Sequence, residues 1–346
     1  MNTSTEKNSL NIWAAGVLAQ LDQIQALANP RSTAFSHDPT GLGAQISRRV
    51  LAMRIACMTG RRAAFPQESM YPYDTCYEPL EGAGSMSNGE TPESVLDFND
   101  ADRQGAVRFD FWKFWEDEEQ RKIVYEFLPS GLANTEGGQA LFEGILLSKM
   151  QLKTAYTDYV ASAASRLELS GDYIGVHYRR GDKKVETPYV PTSKYREAIL
   201  RLVRETGIKK VFLASDSPAA LEELDLESAG VTVVFDHEEI RYNNANHRFL
   251  MQNQDKAVQE TMTAIKNIYL LAGARKIVGQ NNAHFATLAA AMISFRDLTI
   301  DPGVLIPGEL LMSSPLVAAK YRVKNLAKLV IKTLFPSLTL KAKRKA

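Results

Sequence analysis

Apolar positions recur at helical spacing over residues 9–28, which predicts an amphipathic helix. Gly41-Leu42-Gly43 reads as a tight turn, followed by a helix through Ile46, Val50, Met53, Ile55 and Cys57. Residues 62–100 are rich in Pro, Gly, Ser, Asn and Tyr and read as loop. The aromatic run from Phe109 to Trp115 fits core packing or a sugar-stacking platform. A long helical pattern covers Gly138 to Leu169.

Beyond residue 170 the rhythm changes. Short apolar runs at 173–178, 210–214, 231–235 and 276–279 read as strands. Between and after them, 195–204, 218–228, 258–272 and 285–293 read as helices. Strands alternating with helices predict a parallel α/β sheet covered on both faces.

Length and charge then narrow the class. The chain has 346 residues, enough for two ordinary domains, and 45% hydrophobic residues, which argues for a folded globular protein. Its two cysteines, Cys57 and Cys76, exclude a disulfide framework or a multi-cysteine zinc site and fit a reducing compartment. The first residues show no secretory signal, and no run is long and apolar enough to span a bilayer. The formal net charge of +1 hides an asymmetry, because residues 317–346 carry nine basic side chains and no acid. Taking those nine from 41 leaves 32 basic against 40 acidic residues, so residues 1–316 carry about −8. An acidic body argues against nucleic acid as a partner.

The chemistry concentrates in His177-Tyr178-Arg179-Arg180-Gly181-Asp182-Lys183-Lys184, at the carboxyl end of the first strand of the predicted sheet. Ligands of open α/β sheets bind outside strand carboxyl ends. Guanidinium forks and ammonium groups there could hold a pyrophosphate, or the run could be a solvated basic turn. No P-loop pattern and no metal-binding histidine spacing occurs, and Gly41-Leu42-Gly43 lacks the third glycine of a dinucleotide fingerprint.

The stretch Ile174 to Lys183 resembles the I-G-V-H-x-R-R-x-D-K signature of the α-1,6-fucosyltransferase family, and its H-x-R-x-G-D form is similar to protein O-fucosyltransferases. Val211 to Pro218 is similar to that family's V-Y-L-A-T-D-D-P segment. Val258 to Gly279 follows its third segment in pattern, and Thr40 to Gln45 resembles its first glycine turn. The resemblance is densest over 172–218 and extends to about 293.

The resemblance implies a GT-B glycosyltransferase with two facing Rossmann-like domains built on parallel sheets. Residues 1–165 would form the acceptor side and 166–316 the nucleotide-sugar domain. The implied reaction is inverting, needs no metal and no cofactor, and moves fucose from GDP-fucose to a hydroxyl of a glycan acceptor. Arg179, Arg180 and Lys183 would lie on the diphosphate beside His177. Asp182 would orient the arginines or touch the donor, Asp216 would line the nucleotide pocket, and Gly43 would let backbone approach the ligand. The family's Ser-Ser-Gln phosphate loop reads Asn282-Ala283-His284 here, and an acid near its guanine site aligns with Asn267. Those departures leave open a GT-B enzyme with another nucleotide sugar, or a binding protein without turnover. Glu186 is the general-base candidate by position, with Asp236, Glu238 and Glu239 as rivals.

In residues 317–346, Lys320, Lys324, Lys328 and Lys332 fall at spacing four beside Leu326, Val330 and Leu334. That pattern fits a basic amphipathic helix on an anionic membrane surface, or a helix packed on the body. The membrane reading implies a cytoplasmic protein peripheral to the inner face of the cell membrane, with a lipid-linked acceptor.

Overall fold

The computed structural model describes residues 4–26, 32–35, 41–65, 76–80, 92–93, 107–109, 114, 117–132, 134–180, 189–241 and 253–308. The chain is α/β, with two parallel sheets.

Helix α1 (Ser4–Gln25) buries Leu10, Trp13, Val17, Leu21 and Ile24, the stripe that its sequence spacing predicts. Strands β1 (Ser32–Phe35), β2 (Arg62–Ala63), β3 (Pro92–Glu93) and β4 (Val107–Phe109) pair in the order β2-β1-β4-β3. These strands hold two to four residues each, too few to show a period in the sequence. Helix α2 (Leu42–Thr59) is buried on nearly every side, arginines included. Within it, the Arg54 guanidinium is held by Glu143 Oε1 at 3.0 Å and the Phe127 carbonyl at 3.1 Å. Of the aromatic run, Phe114 is buried in the core and packs near Tyr125; the side chains of the others lie outside the described residues.

Helix α3 (Glu118–Glu126) follows, and then the predicted 138–169 helix divides in two. Helix α4 (Glu136–Leu147) starts at the Thr135 hydroxyl, which accepts from the Gly138 amide. Helix α5 (Thr154–Arg166) begins seven residues after α4 ends. The intervening chain is drawn out to pair with residues 76–78: Glu78 donates to the Gln151 carbonyl at 2.7 Å and Lys153 to Cys76 at 3.0 Å. Tertiary pairing overrides helical propensity there.

The second sheet follows its pattern closely. It comprises β5 (Ile174–Tyr178), β6 (Lys210–Ser215), β7 (Thr232–Phe235), β8 (Lys276–Gln280) and β9 (Gly303–Ile306), all parallel, in the order β7-β6-β5-β8-β9. Strand β9, a four-residue run directly after Pro302, is not among the strands that the sequence predicts. The connecting helices are α6 (Thr192–Thr206), α7 (Ala220–Leu224), α8 (Gln254–Ala272) and α9 (His284–Asp297). The predicted 218–228 helix stops early, because Asp225 turns left-handed at φ 43° and a 3-10 turn follows at 227–229. Chain order reverses direction at β5, between β6 on one side and β8 on the other. That is the switch point at which open α/β sheets form a crevice.

The two faces of this sheet bury different sets of residues. Ile174, Val176 and Tyr178 pack with Tyr195 and Ile199 of α6, as do Val211 and Leu213. Tyr173, Phe212 and Ala214 pack with Leu271 of α8, Ala289 of α9 and Ala163 of α5. One hydrophobic core joins α1, α2 and α4 to Ile265 of α8 and Leu288 of α9, so it is continuous across residue 165. Helix α4 sits directly on α9: a Cβ on Gly144 would lie 2.0 Å from the Ala291 carbonyl oxygen, so no larger residue fits without moving a helix.

Candidate active site

A cleft of about 500 Å3, measured to its open mouth, lies at the carboxyl ends of β5, β6 and β7. Its walls include His177, Arg179, Asp216, Glu239, Asn267 and Phe285.

Strand parity decides which residues reach it, because successive side chains alternate between the two faces. His177 and Arg179 share the α8/α9 face of β5, and Asp216 shares that face of β6. The His177 ring stacks on Phe285, with centroids 5.3 Å apart. Asp216 Oδ2 accepts from Arg179 Nη1 at 2.5 Å, and Asp216 Oδ1 accepts from the Arg180 amide at 2.7 Å. The carboxylate is anchored through one oxygen and directs the Arg179 guanidinium with the other. A carboxylate held in this way limits the rotamers of the long cation it pairs with before any ligand arrives.

Arg180 corrects the expectation of an arginine pair on phosphate. It continues the opposite face of β5 and is buried. Its Nη1 donates to the Val190 carbonyl at 3.1 Å, its Nη2 to Thr192 Oγ1 at 2.9 Å and to the Tyr178 hydroxyl, and its Nε to Glu223 Oε2 at 3.3 Å. Its guanidinium carbon lies 3.9 Å from the Tyr178 ring centroid. With its donors engaged between β5 and α6, Arg180 holds the strand end and does not line the cleft.

Gly43 does not line the cleft itself but packs behind one of its walls, Phe285. It lies in the first turn of α2, where an added Cβ would come within 3.0 Å of His284 Cβ and the Phe285 ring. Its part is to let α2 approach α9, and the Ser47 hydroxyl and His284 Nδ1 share a hydrogen bond of 2.9 Å beside it. Asn282, Ala283 and His284 stop one residue short of the lining at Phe285. Asn281 binds the Gly308 amide at 3.0 Å. No side chain caps the start of α9 at Ala283. Asp182, Lys183 and Glu186 lie outside the described residues, as does the 317–346 segment.

Beneath the cleft is an ionic cluster absent from the sequence reading as a unit. Asp236 is buried and takes Arg166 through both oxygens, at 3.2 and 2.8 Å, and Lys266 Nζ at 2.5 Å. Burial alone would raise its carboxyl, but the hydrogen bonds and charges of Arg166 and Lys266 outweigh it and hold the pKa at about 2. Asp236 therefore serves as a fixed anion and not as a base. Glu238 is exposed and pairs with Arg166 at 3.1 Å. Glu239 is buried against Lys266 at 2.9 Å. Helix α8 adds Glu260, Thr263 and Asn267 to the wall. Their spacing of three and four residues places them on one face of the helix. Among the described residues, no group of three His, Cys, Asp or Glu side chains could hold a metal ion, and no helix is long and apolar enough to cross a membrane.

No protein-family model matches the chain. No curated protein matches it in sequence. Among solved structures it is similar to the NodZ α-1,6-fucosyltransferase co-crystallized with GDP, at 15% identity and a TM-score of 0.47, covering 75% of this chain and 91% of that one. It is similar to a mutant of FUT1 from Arabidopsis thaliana in complex with GDP, at 12% identity and a TM-score of 0.48, covering 84% and 77%. It is also similar to POFUT1 in complex with GDP, at 12% identity and a TM-score of 0.45, covering 81% and 99%.

Proposed function

We propose that the protein is a GT-B glycosyltransferase that moves fucose from GDP-fucose to a hydroxyl of a glycan acceptor, with inversion and without a divalent metal. One observation carries this reading: Arg179, aimed by Asp216, stands in the cleft at the sheet's switch point, inside the motif that resembles the fucosyltransferase signature.

Transfer from a nucleotide sugar needs a stabilised leaving diphosphate, a deprotonated acceptor hydroxyl and an anomeric carbon held in line. Arg179 supplies fixed positive charge where negative charge develops on the departing diphosphate. The uncapped start of α9 adds backbone N–H groups near the same place. His177, stacked on Phe285, forms the wall beside the arginine. Following the motif, Lys183 adds a second cation, and Asp182 orients the arginine or contacts the donor. Glu186 takes the acceptor proton; Glu186→Gln with unchanged turnover would remove it from that role.

Residues 317–346 dock the enzyme on an anionic membrane surface at the cytoplasmic face, where a lipid-linked glycan is the acceptor. Liposome pelleting of the full chain and of a chain ending at residue 316 tests this, and equal pelleting defeats it. The donor reading is tested by thermal shift against GDP, UDP, CDP and ADP with EDTA present, then by transfer from a panel of nucleotide sugars. Stabilisation by GDP and transfer from GDP-fucose under EDTA are expected. Absence of any nucleotide-induced shift would sink the proposal.

A further inference from the structure

We infer that Arg180 and Thr192 are positioning residues of the transfer reaction: together they tie the two ends of the segment 181–188, which carries Asp182, Lys183 and Glu186, to the strand end that carries Arg179. The inference rests on the nucleotide-sugar reading of the cleft and on the roles proposed for Lys183 and Glu186.

Residue 180 is the last before that segment, and residues 189–192 are the first after it. The Arg180 guanidinium bonds to the far side twice. Its Nη1 donates to the Val190 carbonyl at 3.1 Å, a buried bond, and its Nη2 donates to Thr192 Oγ1 at 2.9 Å. The Tyr189 ring centroid lies 5.0 Å from the guanidinium carbon. Thr192 is the first residue of α6, and its hydroxyl also shares a hydrogen bond of 2.7 Å with the Tyr178 hydroxyl at the end of β5. The near end is fixed as well. Asp216 Oδ1 accepts from the Arg180 amide at 2.7 Å, and its other oxygen holds Arg179. One carboxylate and one guanidinium thus join the cleft cation to both ends of the segment.

Cohesion does not call for this arrangement. Elsewhere on the same face Ile174, Val176, Val211 and Leu213 pack with Ile199 and Leu202 of α6. A buried guanidinium is costly to desolvate, and apolar side chains of similar volume stabilise such an interface at least as well. What a buried ionic group adds is a fixed register. Arginine suits that task because its planar fork presents five N–H donors, enough to reach Val190, Thr192, Tyr178 and Glu223 together. Lysine keeps the charge but has no fork. Register matters here because the base and the leaving-group cation act on one substrate at once, and a misplacement of about 1 Å costs about 100-fold in rate.

Glu223 provides an internal control. It accepts from Arg180 Nε at 3.3 Å, but it stands on α7, away from the segment. The probe reaction is release of GDP from saturating GDP-fucose in water, with the full chain and EDTA. Water attacks the anomeric carbon, the bond to the diphosphate breaks, and Glu186 takes the proton of the water. Calorimetric titration with GDP runs beside it. Thr192→Val, which keeps the shape and removes one tie, should lower kcat about 10-fold, and Arg180→Lys about 100-fold, with GDP affinity in both within about 3-fold of the parent. Glu223→Ala should leave kcat within about 2-fold. Unchanged kcat in Thr192→Val would overturn the inference. So would an equal loss in Glu223→Ala, which is what a purely structural role of Arg180 produces. A parallel fall in GDP affinity also overturns it, since Arg180 would then act on the donor. If Arg180→Lys fails to fold, Thr192→Val against Glu223→Ala decides. Failure of the underlying reading looks different: the unaltered chain would bind no GDP and release none, or Glu186→Gln would leave its turnover intact.

Discussion

The two sides of the end of β5 carry adjacent arginines that do opposite work. On the α8/α9 side, Arg179 keeps 24% of its side chain exposed and faces the cleft with one carboxylate behind it. On the α6 side, Arg180 keeps 7% exposed and is enclosed by Tyr178, Val190, Thr192, Tyr195 and Glu223. The residue type is the same; only strand parity differs. A basic cluster read as one electrostatic patch is in fact divided by the sheet into a chemical half and a structural half.

The strongest way to break that division is Arg180→Ala. It leaves the buried acceptors around Tyr178 and Thr192 unsatisfied and should lower the unfolding free energy by about 3–5 kcal/mol in urea titration. Ordinary stability with lost nucleotide binding would mean that Arg180 belongs to the cleft. Arg179→Ala should do the converse: transfer falls by roughly 3–4 kcal/mol of barrier, about two to three powers of ten, while the urea midpoint stays put. Near-normal turnover in that variant removes the site assignment.

Acid sharpens the contrast between the cleft and its ionic floor. The folded-state pKa of Asp236, about 2, lies below the ordinary carboxylate value of about 3.9. Its contribution to stability is therefore complete above about pH 4 and is lost as pH falls towards 2. Urea midpoints of the parent chain and of Asp236→Asn should converge over that window; a constant gap would show that the pairing with Arg166 and Lys266 does not set the titration. Asp216→Asn keeps the size but weakens the hold on Arg179, and about a 10-fold drop in GDP affinity is expected from calorimetry. The smallest effect is Ser47→Ala, which should cost about 1 kcal/mol of stability by removing the bond between α2 and His284.

Much of the second sheet was readable because β5, β6 and β8 are buried runs of five or six residues bounded by polar turns. The first sheet was not, since strands of two to four residues carry no period, and pairing across distant sequence defines them. The site was half legible for a related reason. Alternation along Ile174-Gly175-Val176-His177-Tyr178-Arg179-Arg180 already separates odd from even positions, so the division of the arginines could have been read from the strand. The partnership of Glu239 with Asn267 could not, because 28 residues of chain separate them and only the packing of α8 against the end of β7 closes the gap.

The sequence by itself determined the parallel α/β rhythm, the position of the guanidinium cluster at a strand end and the basic character of residues 317–346, because period, burial run and charge are local properties of the chain. Tertiary structure decided which arginine faces the cleft, which carboxylate is locked as an anion and which side chains meet across its wall. Those outcomes depend on which side chains are brought within about 3 Å of one another, and such contacts are made only when distant segments pack.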